Sequence, residues 1–145
     1  MLPRWHILWG AVFSIAVWLF LPGVSLFYIS LIFLASFLID FDHYMSGAMS
    51  IRDYNLKNVL KYHRELLKKE KEENKKGIRV RGHFHLFHTL EFHILVFALG
   101  YLWQGFWFIL AGMIFHSLLD IASLINRDRL YRREYFLVAW LLRKA

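Results

Sequence analysis

The stretch FWFILAGMIFHSLLDIASLI, residues 106–125, decides the fold class of this chain. It is apolar over the length that one α-helix needs to cross a bilayer, about 20 residues. His116 and Asp120 are its ionisable side chains, and a spacing of four residues places them on one helix face. Ionisable groups inside a membrane-crossing helix are costly and usually functional. The stretch therefore predicts both a membrane protein and a site.

Three further apolar runs precede it, at residues 5–21, 24–39 and 84–103. Pro22-Gly23, a turn signal, separates the first two runs, and Gln104-Gly105 separates the third from residues 106–125. We therefore predict an all-α, integral membrane bundle of four transmembrane helices, arranged as two helical hairpins. The whole chain, residues 1–145, would form this single membrane domain. Its hydrophobic content of 58 % exceeds that of ordinary soluble chains.

The net charge of +7 matters mainly through its placement. Every Lys and Arg lies in the N-terminal segment, in residues 45–82 or in residues 127–145. Four crossings bring these three regions to one side, which the positive-inside rule assigns to the cytoplasm. We expect a multi-pass protein of the cell membrane, plasma or inner, with both termini cytoplasmic. Membrane lipids are then the expected partners, and nucleic acid is not, because the basic residues flank apolar runs.

Residues 45–82 form a polar cytoplasmic segment between the two hairpins. Apolar residues at helical spacing over residues 54–67 predict an amphipathic helix within it. Asp53 would cap this helix and Gly77 would stop the chain from continuing it. The tail, residues 127–145, has an apolar centre too short to span a bilayer, so we predict an interfacial segment.

Three groups of ionisable residues should meet at the cytoplasmic face. They are Asp40, Asp42 and His43 after the second run, His83, His85, His88 and Glu91 in the third, and His116 with Asp120 in the fourth. The chain has no cysteine, and imidazoles with carboxylates suit zinc, manganese or iron. Carboxylates can bridge two ions. We therefore predict one or two divalent metal ions, with zinc or manganese favoured over iron.

The fourth helix supplies two ligands on one face, so the remaining ligands must come from neighbouring helices at equal depth. We predict Asp42, His88, His116 and Asp120 as metal ligands, with Asp40, His43, His83 and His85 as further candidates. In a continuous helix Asp42 would point away from Asp40. We therefore expect a backbone break near Phe41. The alternative is that Asp40 alone binds the metal while Asp42 orients His43.

The remaining histidines, His6, His63 and His93, are interpreted as structural. A single histidine in a membrane bundle more often forms an interhelical hydrogen bond than a metal–ligand bond. Glu91 is the predicted general base, provided that it does not itself bind metal. Such a base must reach the attacking water.

The motifs Asp40-Phe41-Asp42-His43, His83…His88-Thr89 and His116-x-x-x-Asp120 resemble those of the YdjM-like family of membrane-bound proteins, which are described as metal-dependent hydrolases. That family carries D-x-D-H at the end of one apolar helix, H-R-G-x-T-H-S at the start of a later one, and H-x-x-x-D in the next. The resemblance covers residues 24–125. It implies a membrane-bound, metal-dependent hydrolase.

The second motif departs from the family pattern in several places. Phe84 stands for the family's Arg, His85 for its Gly, Phe87 for its Thr and Thr89 for its Ser. A second register would match Arg81-Gly82 to the family's Arg-Gly and make His85 the later histidine. The departures keep enough metal ligands and bear mainly on substrate recognition.

We therefore expect a metal-dependent hydrolase that acts at the cytoplasmic membrane face on a lipid or lipid-linked ester or phosphoester. A basic rim of Arg79, Arg81 and Arg127 would attract an anionic headgroup of this lipid-like substrate. One alternative is a membrane di-iron oxygenase of the desaturase or hydroxylase kind, although the adjacent His-His pairs of those enzymes are missing. Another alternative is a metal-binding membrane protein without enzymatic activity.

Overall fold

A computed structural model describes residues 3–143 of the chain. The helices are α1 (Pro3–Phe20), α2 (Leu26–Leu38), α3 (Phe41–Ile51), α4 (Leu56–Lys75), α5 (Leu90–Leu99), α6 (Gly105–Ile125) and α7 (Leu137–Leu142). Single 3-10 turns occur at Leu86–His88 and Leu130–Arg132. The described residues contain no strand, so the all-α prediction is confirmed.

The centre of the bundle is α2, which packs against both α1 and α6, while α5 packs against α6. The α2–α6 contact is close because Gly112 has no side chain. A Cβ atom at this position would clash with the carbonyl oxygen of Ile32. The contact between α1 and α2 is similar, since a Cβ at Gly10 would collide with the Ser36 hydroxyl. Small residues that let helix backbones approach are typical of helix packing in membranes.

The bundle buries several polar side chains beside an apolar core of Ile39, Val96 and Met113, and its outer surface is apolar. His6, Ser14, Ser36 and Thr89 are buried, whereas Phe20 is 84 % exposed, and exposed apolar side chains cover the outer faces of the helices. Two stretches, Leu26–Ile51 and Gly105–Ile125, are long and apolar enough to cross a membrane, and Arg4–Phe20 and Leu90–Leu99 are shorter apolar helices. These lengths and this surface indicate membrane association.

The second apolar helix breaks where the first acidic motif begins. α2 ends at Leu38, Ile39 and Asp40 form a turn, and α3 starts at Phe41. The backbone break expected near Phe41 is therefore present, one residue earlier. The sequence did not predict α3, which continues to Ile51 inside the segment interpreted as polar. Ser46, Gly47 and Ala48 are small, so this helix has few large apolar side chains to mark it in the sequence.

The helix predicted for residues 84–103 is shorter at both ends. It begins at Leu90, where the Thr89 hydroxyl accepts the Phe92 N–H at 3.3 Å and caps the first turn. It ends at Leu99, ahead of the turns that lead into α6. The residues before Thr89 form an irregular segment with the 3-10 turn Leu86–His88, so the start predicted at Phe84 is wrong. This irregular backbone points His85 and His88 toward the other polar groups.

The amphipathic helix, α4, is longer than predicted and continues through the charged residues to Lys75. Asn55 is its N-cap, with Oδ1 accepting the Lys57 N–H at 3.0 Å. Asp53 supports this cap by accepting the Asn55 N–H at 2.8 Å, and the same hydrogen bond lowers the pKa of its carboxyl group. Gly77 follows the helix with φ of 71°, a conformation that glycine adopts without strain.

The C-terminal half of α4 is tied to the tail by buried ion pairs. Arg132 lies 3.1 Å from Glu70 and 3.5 Å from Glu73, and Arg129 lies 3.3 Å from Glu70. The tail then crosses the start of α5, where the Leu90 N–H donates to the Tyr135 carbonyl at 2.9 Å. The tail and α4 therefore form a polar cap over the end of the bundle that holds the acidic and histidine residues.

Candidate metal centre

Asp40 is at the centre of the acidic and histidine residues because the turn between α2 and α3 directs it inward. Its Oδ1 lies 3.4 Å from Nε2 of His116 and 3.6 Å from Nε2 of His88. Nε2 of His43, one helical turn later, is also 3.6 Å from Oδ1 of Asp40. One carboxylate oxygen thus faces imidazole nitrogens from three different segments of the chain.

His88 and His116 are both fixed through their Nδ1 atoms. Nδ1 of His116 donates to the carbonyl oxygen of Ser36 at 2.8 Å, and Nδ1 of His88 donates to Oδ2 of Asp42 at 3.2 Å. A neutral imidazole has one donor and one acceptor nitrogen, so both Nε2 atoms are left as acceptors. These two Nε2 atoms lie 3.2 Å apart. Two facing lone pairs repel each other unless a cation or a proton lies between them.

Asp120 extends the arrangement along α6. Its Oδ2 lies 3.5 Å from Nε2 of His116 and accepts from Nη1 of Arg133 at 3.0 Å. Its Oδ1 lies 3.2 Å from Nε2 of His6. The His6 ring is fully buried and stacks on the His116 ring with centroids 3.9 Å apart. The first helix therefore contributes an imidazole to the same place.

The donor atoms have the spacing of a metal site. Asp40 Oδ1 and the Nε2 atoms of His88 and His116 form a triangle with sides of 3.2, 3.4 and 3.6 Å. Ligand atoms of a tetrahedral ion with bonds of 2.0–2.2 Å are about 3.3 to 3.6 Å apart. Carboxylate and imidazole are also the donors that zinc and manganese accept. The described residues thus fit a divalent ion.

The donor atoms form three overlapping groups, each gathered within 4.8 Å: Asp40, His43, His88 and Asp120; His6, Asp40 and His116; and Asp42, His43 and His85. Asp40 belongs to two groups, and so does His43. A carboxylate can bridge two ions, so the arrangement has room for one ion or for two neighbouring ions. We call these eight residues the His/Asp cluster.

The third group lies at the outer edge of the His/Asp cluster. The His43 and His85 rings stack with centroids 3.6 Å apart, and Nδ1 of His85 lies 3.8 Å from Oδ1 of Asp42. Both of these polar atoms are buried, and neither has a hydrogen-bond partner among residues 3–143. Oδ2 of Asp42 contacts His88 and the Phe87 N–H, so Asp42 orients His88, whereas the alternative considered above had it orient His43.

Two of the predicted site residues lie outside the His/Asp cluster. His83 is exposed and its Nε2 lies 3.3 Å from the Tyr62 hydroxyl. Glu91 accepts the N–H groups of Leu137 at 2.9 Å and Val138 at 3.1 Å. Both carboxylate oxygens of Glu91 are therefore used to cap the start of α7.

His63 and His93 have the structural contacts expected of them. His93 Nδ1 donates to the Thr89 carbonyl at 2.8 Å, and its Nε2 lies 3.3 Å from the Ser117 hydroxyl of α6. His63 donates to the His43 carbonyl at 3.1 Å and packs against Gly47, and burial lowers its pKa. His6 behaves differently, because it belongs to the cluster.

The sequence interpretation missed His6 and Arg133. His6 had a usable signal: if the N-terminus lies on the cytoplasmic face, the first turn of α1 has the same depth as Asp120. Arg133 had no local signal, because its ion pair with Asp120 joins α6 to a tail of irregular structure. Each contact depends on helix packing that short motifs do not encode.

Comparisons with known proteins give no relative: no family model, curated protein or solved structure matches this chain. The function of this chain must therefore be inferred from the geometry of the His/Asp cluster and from its motifs.

Proposed function

We propose that this chain is a four-crossing membrane protein whose His/Asp cluster binds one or two divalent metal ions. We further propose that it is a metal-dependent hydrolase of the YdjM-like kind, acting at the cytoplasmic face on a lipid or lipid-linked ester or phosphoester. One observation carries the proposal. The Nε2 atoms of His88 and His116 face each other at 3.2 Å, with Oδ1 of Asp40 within 3.6 Å of both.

The hydrogen bonds of the Nδ1 atoms of His88 and His116 favour a metal site over a simple hydrogen-bonded network. Metal-binding histidines almost always donate their other N–H to a carboxylate or a backbone carbonyl. His88 does so to Asp42, and His116 does so to the Ser36 carbonyl. An extra proton on one imidazole could also relieve the repulsion between the Nε2 atoms. Metal analysis separates these two cases.

A divalent ion held by Asp40, His88 and His116 would supply a Lewis acid that lowers the pKa of a bound water and polarises a carbonyl or phosphoryl oxygen. The chain's own residues would hold the site in shape and move the proton. We assign the proton transfer to His85, because its Nδ1 is buried without a hydrogen-bond partner in the described part of the chain and faces Asp42. Glu91 is less suited than the sequence suggested, since α7 uses both of its oxygens.

The membrane part of the proposal is supported by the apolar outer surface of the bundle and by the positions of its charges. α1 and α5 pack beside helices that are long enough to cross. α5 has ten residues, about half the length that one helix needs, so the proposal requires the non-helical residues on either side of it to complete this crossing. Residues 15–28 and 97–108, next to the two tight turns, carry no charged side chain. The His/Asp cluster lies at the opposite end, under the polar cap. A lipid-like substrate would therefore reach it at headgroup depth.

Metal content is the first test. The full-length protein, purified in detergent and supplied with zinc or manganese, should retain metal in elemental analysis. His88→Ala and Asp120→Ala should each lose most of it. His93→Ala is the matched control, because His93 is a partly buried histidine on the neighbouring turn with contacts only outside the cluster. A wild-type protein without metal, or two cluster variants with unchanged metal, would support a proton-linked network instead.

Hydrolysis is the second test. Lipid esters and lipid phosphoesters should be cleaved by the metal-loaded protein in lipid nanodiscs, and a chelator should stop the reaction until metal is restored. His85→Gln should retain the ion held between Asp40, His88 and His116 and lose most of the activity. Retained metal with no cleavage of either substrate class would leave a metal-binding membrane protein without enzymatic activity.

Topology is the third test. The chain lacks cysteine, so single cysteines report cleanly. Cysteines introduced at Lys75 and Gln104 should react with a membrane-impermeant reagent from opposite sides. Labelling of both from one side would contradict four crossings, whatever the metal content.

A further inference from the structure

A second polar feature lies beside the His/Asp cluster, in the tail. A cavity of about 440 Å³ opens between residues 79–81 and the tail, and its charged lining residues are Arg79, Arg81, Arg133, Glu134 and Arg143. Four guanidinium groups and one carboxylate leave a net of three positive charges on its wall. We call it the arginine cavity.

Arg133 joins the arginine cavity to the His/Asp cluster. Its Nη1 donates to Oδ2 of Asp120 at 3.0 Å, while the residue also lines the cavity. The side chain is only 9 % exposed, and its Nη2 is buried with no hydrogen-bond partner within residues 3–143. A buried donor without a partner is unfavourable, and more so when it is charged. The side chain also adds its positive charge to the cavity wall, where an anion would be attracted.

Glu134 arranges the other side of the cavity. It is buried and accepts from Nη1 of Arg81 at 3.0 and 3.1 Å, and it also pairs with Arg143. One carboxylate thus fixes two guanidinium groups, which lowers the entropy lost when they bind a ligand. Arg79 is held more loosely, 3.7 Å from the exposed Asp128.

We propose that the arginine cavity binds a phosphate group and that Arg133 places this phosphate next to Asp120 at the edge of the His/Asp cluster. Guanidinium groups bind phosphate through pairs of parallel hydrogen bonds. A phosphate monoester carries up to two negative charges and three acceptor oxygens, which match a wall with a net of three positive charges better than a single carboxylate would. This inference deepens the proposed function, on which it rests, by making the substrate a phosphoester.

Two sources share this chemistry, a lipid headgroup and a soluble phosphate ester. The cavity has aromatic and apolar wall residues besides its charges, among them Tyr131, Phe136 and Ala139. These would add contacts to a lipid that a soluble phosphate does not make. The binding experiment therefore has two arms, inorganic phosphate and a short-chain phosphatidic acid.

The experiment measures binding by equilibrium dialysis with the full-length, detergent-purified protein, with metal content determined on the same samples. Arg133→Gln should weaken binding of both probes by about ten- to a hundredfold, the range for hydrogen bonds to charged groups. Arg79→Gln, which lies away from the cluster, should weaken it less and serves as the second variant if Arg133→Gln fails to fold. Arg64→Gln on the exposed face of α4 makes the same change in charge and should leave binding unchanged.

The outcomes separate this inference from the proposed function. If the protein binds metal but not phosphate, the proposal that the arginine cavity binds phosphate is wrong, and the proposed metal site is unaffected. If the protein binds phosphate but holds no metal, phosphate binding in the arginine cavity is supported and metal binding by the His/Asp cluster is contradicted. Equal losses in Arg133→Gln and Arg64→Gln would mean that net charge alone attracts the anion, and this also overturns the cavity. Tighter binding of phosphatidic acid than of inorganic phosphate identifies the lipid headgroup as the source.

Discussion

The two ends of the bundle differ in the way they are held together. At the turn end, contacts are apolar and aromatic: the Tyr28 ring stacks on Phe108 at 4.6 Å and Phe27 lies near Trp103 at 6.3 Å. At the other end, imidazoles, carboxylates and an arginine are buried together. Aromatic residues are enriched at membrane boundaries, so the turn end would anchor the proposed crossings. The buried ionisable groups are found at the cluster end.

The two ends should also differ in how far their stability depends on a bound ligand. Apolar contacts at the turn end require no ligand, whereas buried charges are unfavourable by several kcal/mol unless their partners are well placed. In the His/Asp cluster, two acceptor nitrogens face each other and several buried atoms have no hydrogen-bond partner in the described residues. The cluster end should therefore be the part of the molecule whose stability depends on a bound ion. The one-sided distribution also favours a pit that opens to one face over a pore.

The largest expected effect is metal-dependent stability. A ligand at a thousandfold excess over its Kd stabilises the folded state by about 4 kcal/mol, so chelation should lower the thermal unfolding midpoint of the detergent-purified protein markedly. Asp40→Ala should remove this difference. Tyr28→Phe, which deletes the hydroxyl that Gln104 contacts at the turn end, should keep it. An equal response to chelator in Asp40→Ala and Tyr28→Phe would show that the two ends do not differ in this respect.

The next effect concerns the helix packing between the two ends. Gly112→Val places a side chain against the Ile32 carbonyl, and overpacking of this kind typically destabilises by about 1–3 kcal/mol. Because α6 carries His116 and Asp120, the shift should also reduce metal content. Gly23→Val is the control, since a Cβ at Gly23 meets nothing within 4 Å. Its unfolding midpoint should match that of wild type, and equal losses in both variants would contradict the close α2–α6 contact.

Individual residues show which features of the fold and the site could be predicted from the sequence. Helix α6 and both tight turns follow from apolar runs long enough to cross a bilayer, and Asp40, Asp42, His88, His116 and Asp120 follow from ionisable residues within or beside such runs. These features are local. The irregular segment before Thr89 is not local in this sense, because nothing in residues 84–88 excludes a helix and only the cap at Thr89 sets the start of α5.

The tail shows more clearly which contacts could not be predicted from the sequence. Arg133 reaches Asp120, Glu134 holds Arg81, and Glu91 caps α7, and each contact joins residues from different segments. No spacing rule relates these partners, so a charge in the tail could only be interpreted as a solvated or interfacial group. His6 is an intermediate case, since its depth followed from topology but its partner did not.

His6 provides a smaller and more specific test of the cluster end. His6→Phe keeps an aromatic ring against His116, which now stacks on His6 at 3.9 Å, but it removes the nitrogen that faces Asp120. We expect metal affinity to fall about tenfold, at the lower end of the range for partners that support a metal site, with little change in the fold. Trp5→Phe, an exposed neighbour on α1, should have no effect on affinity. Unchanged affinity in His6→Phe would make His6 a packing residue only.

The smallest expected effect is that of Glu91→Gln, which tests whether Glu91 only caps the start of α7 or also takes part in catalysis. The amide keeps one acceptor oxygen for Leu137 or Val138 but loses the charge that favours the start of a helix, so α7 should be destabilised by about 0.5–1 kcal/mol. Amide exchange at Leu137 and Val138 should become faster, while metal content and hydrolysis remain close to wild type. Arg81 and Glu134 hold the same tail independently, which limits the change to the first turn of α7. Loss of hydrolysis with unchanged amide exchange would instead restore Glu91 as the general base and place the catalytic acid–base group on α5.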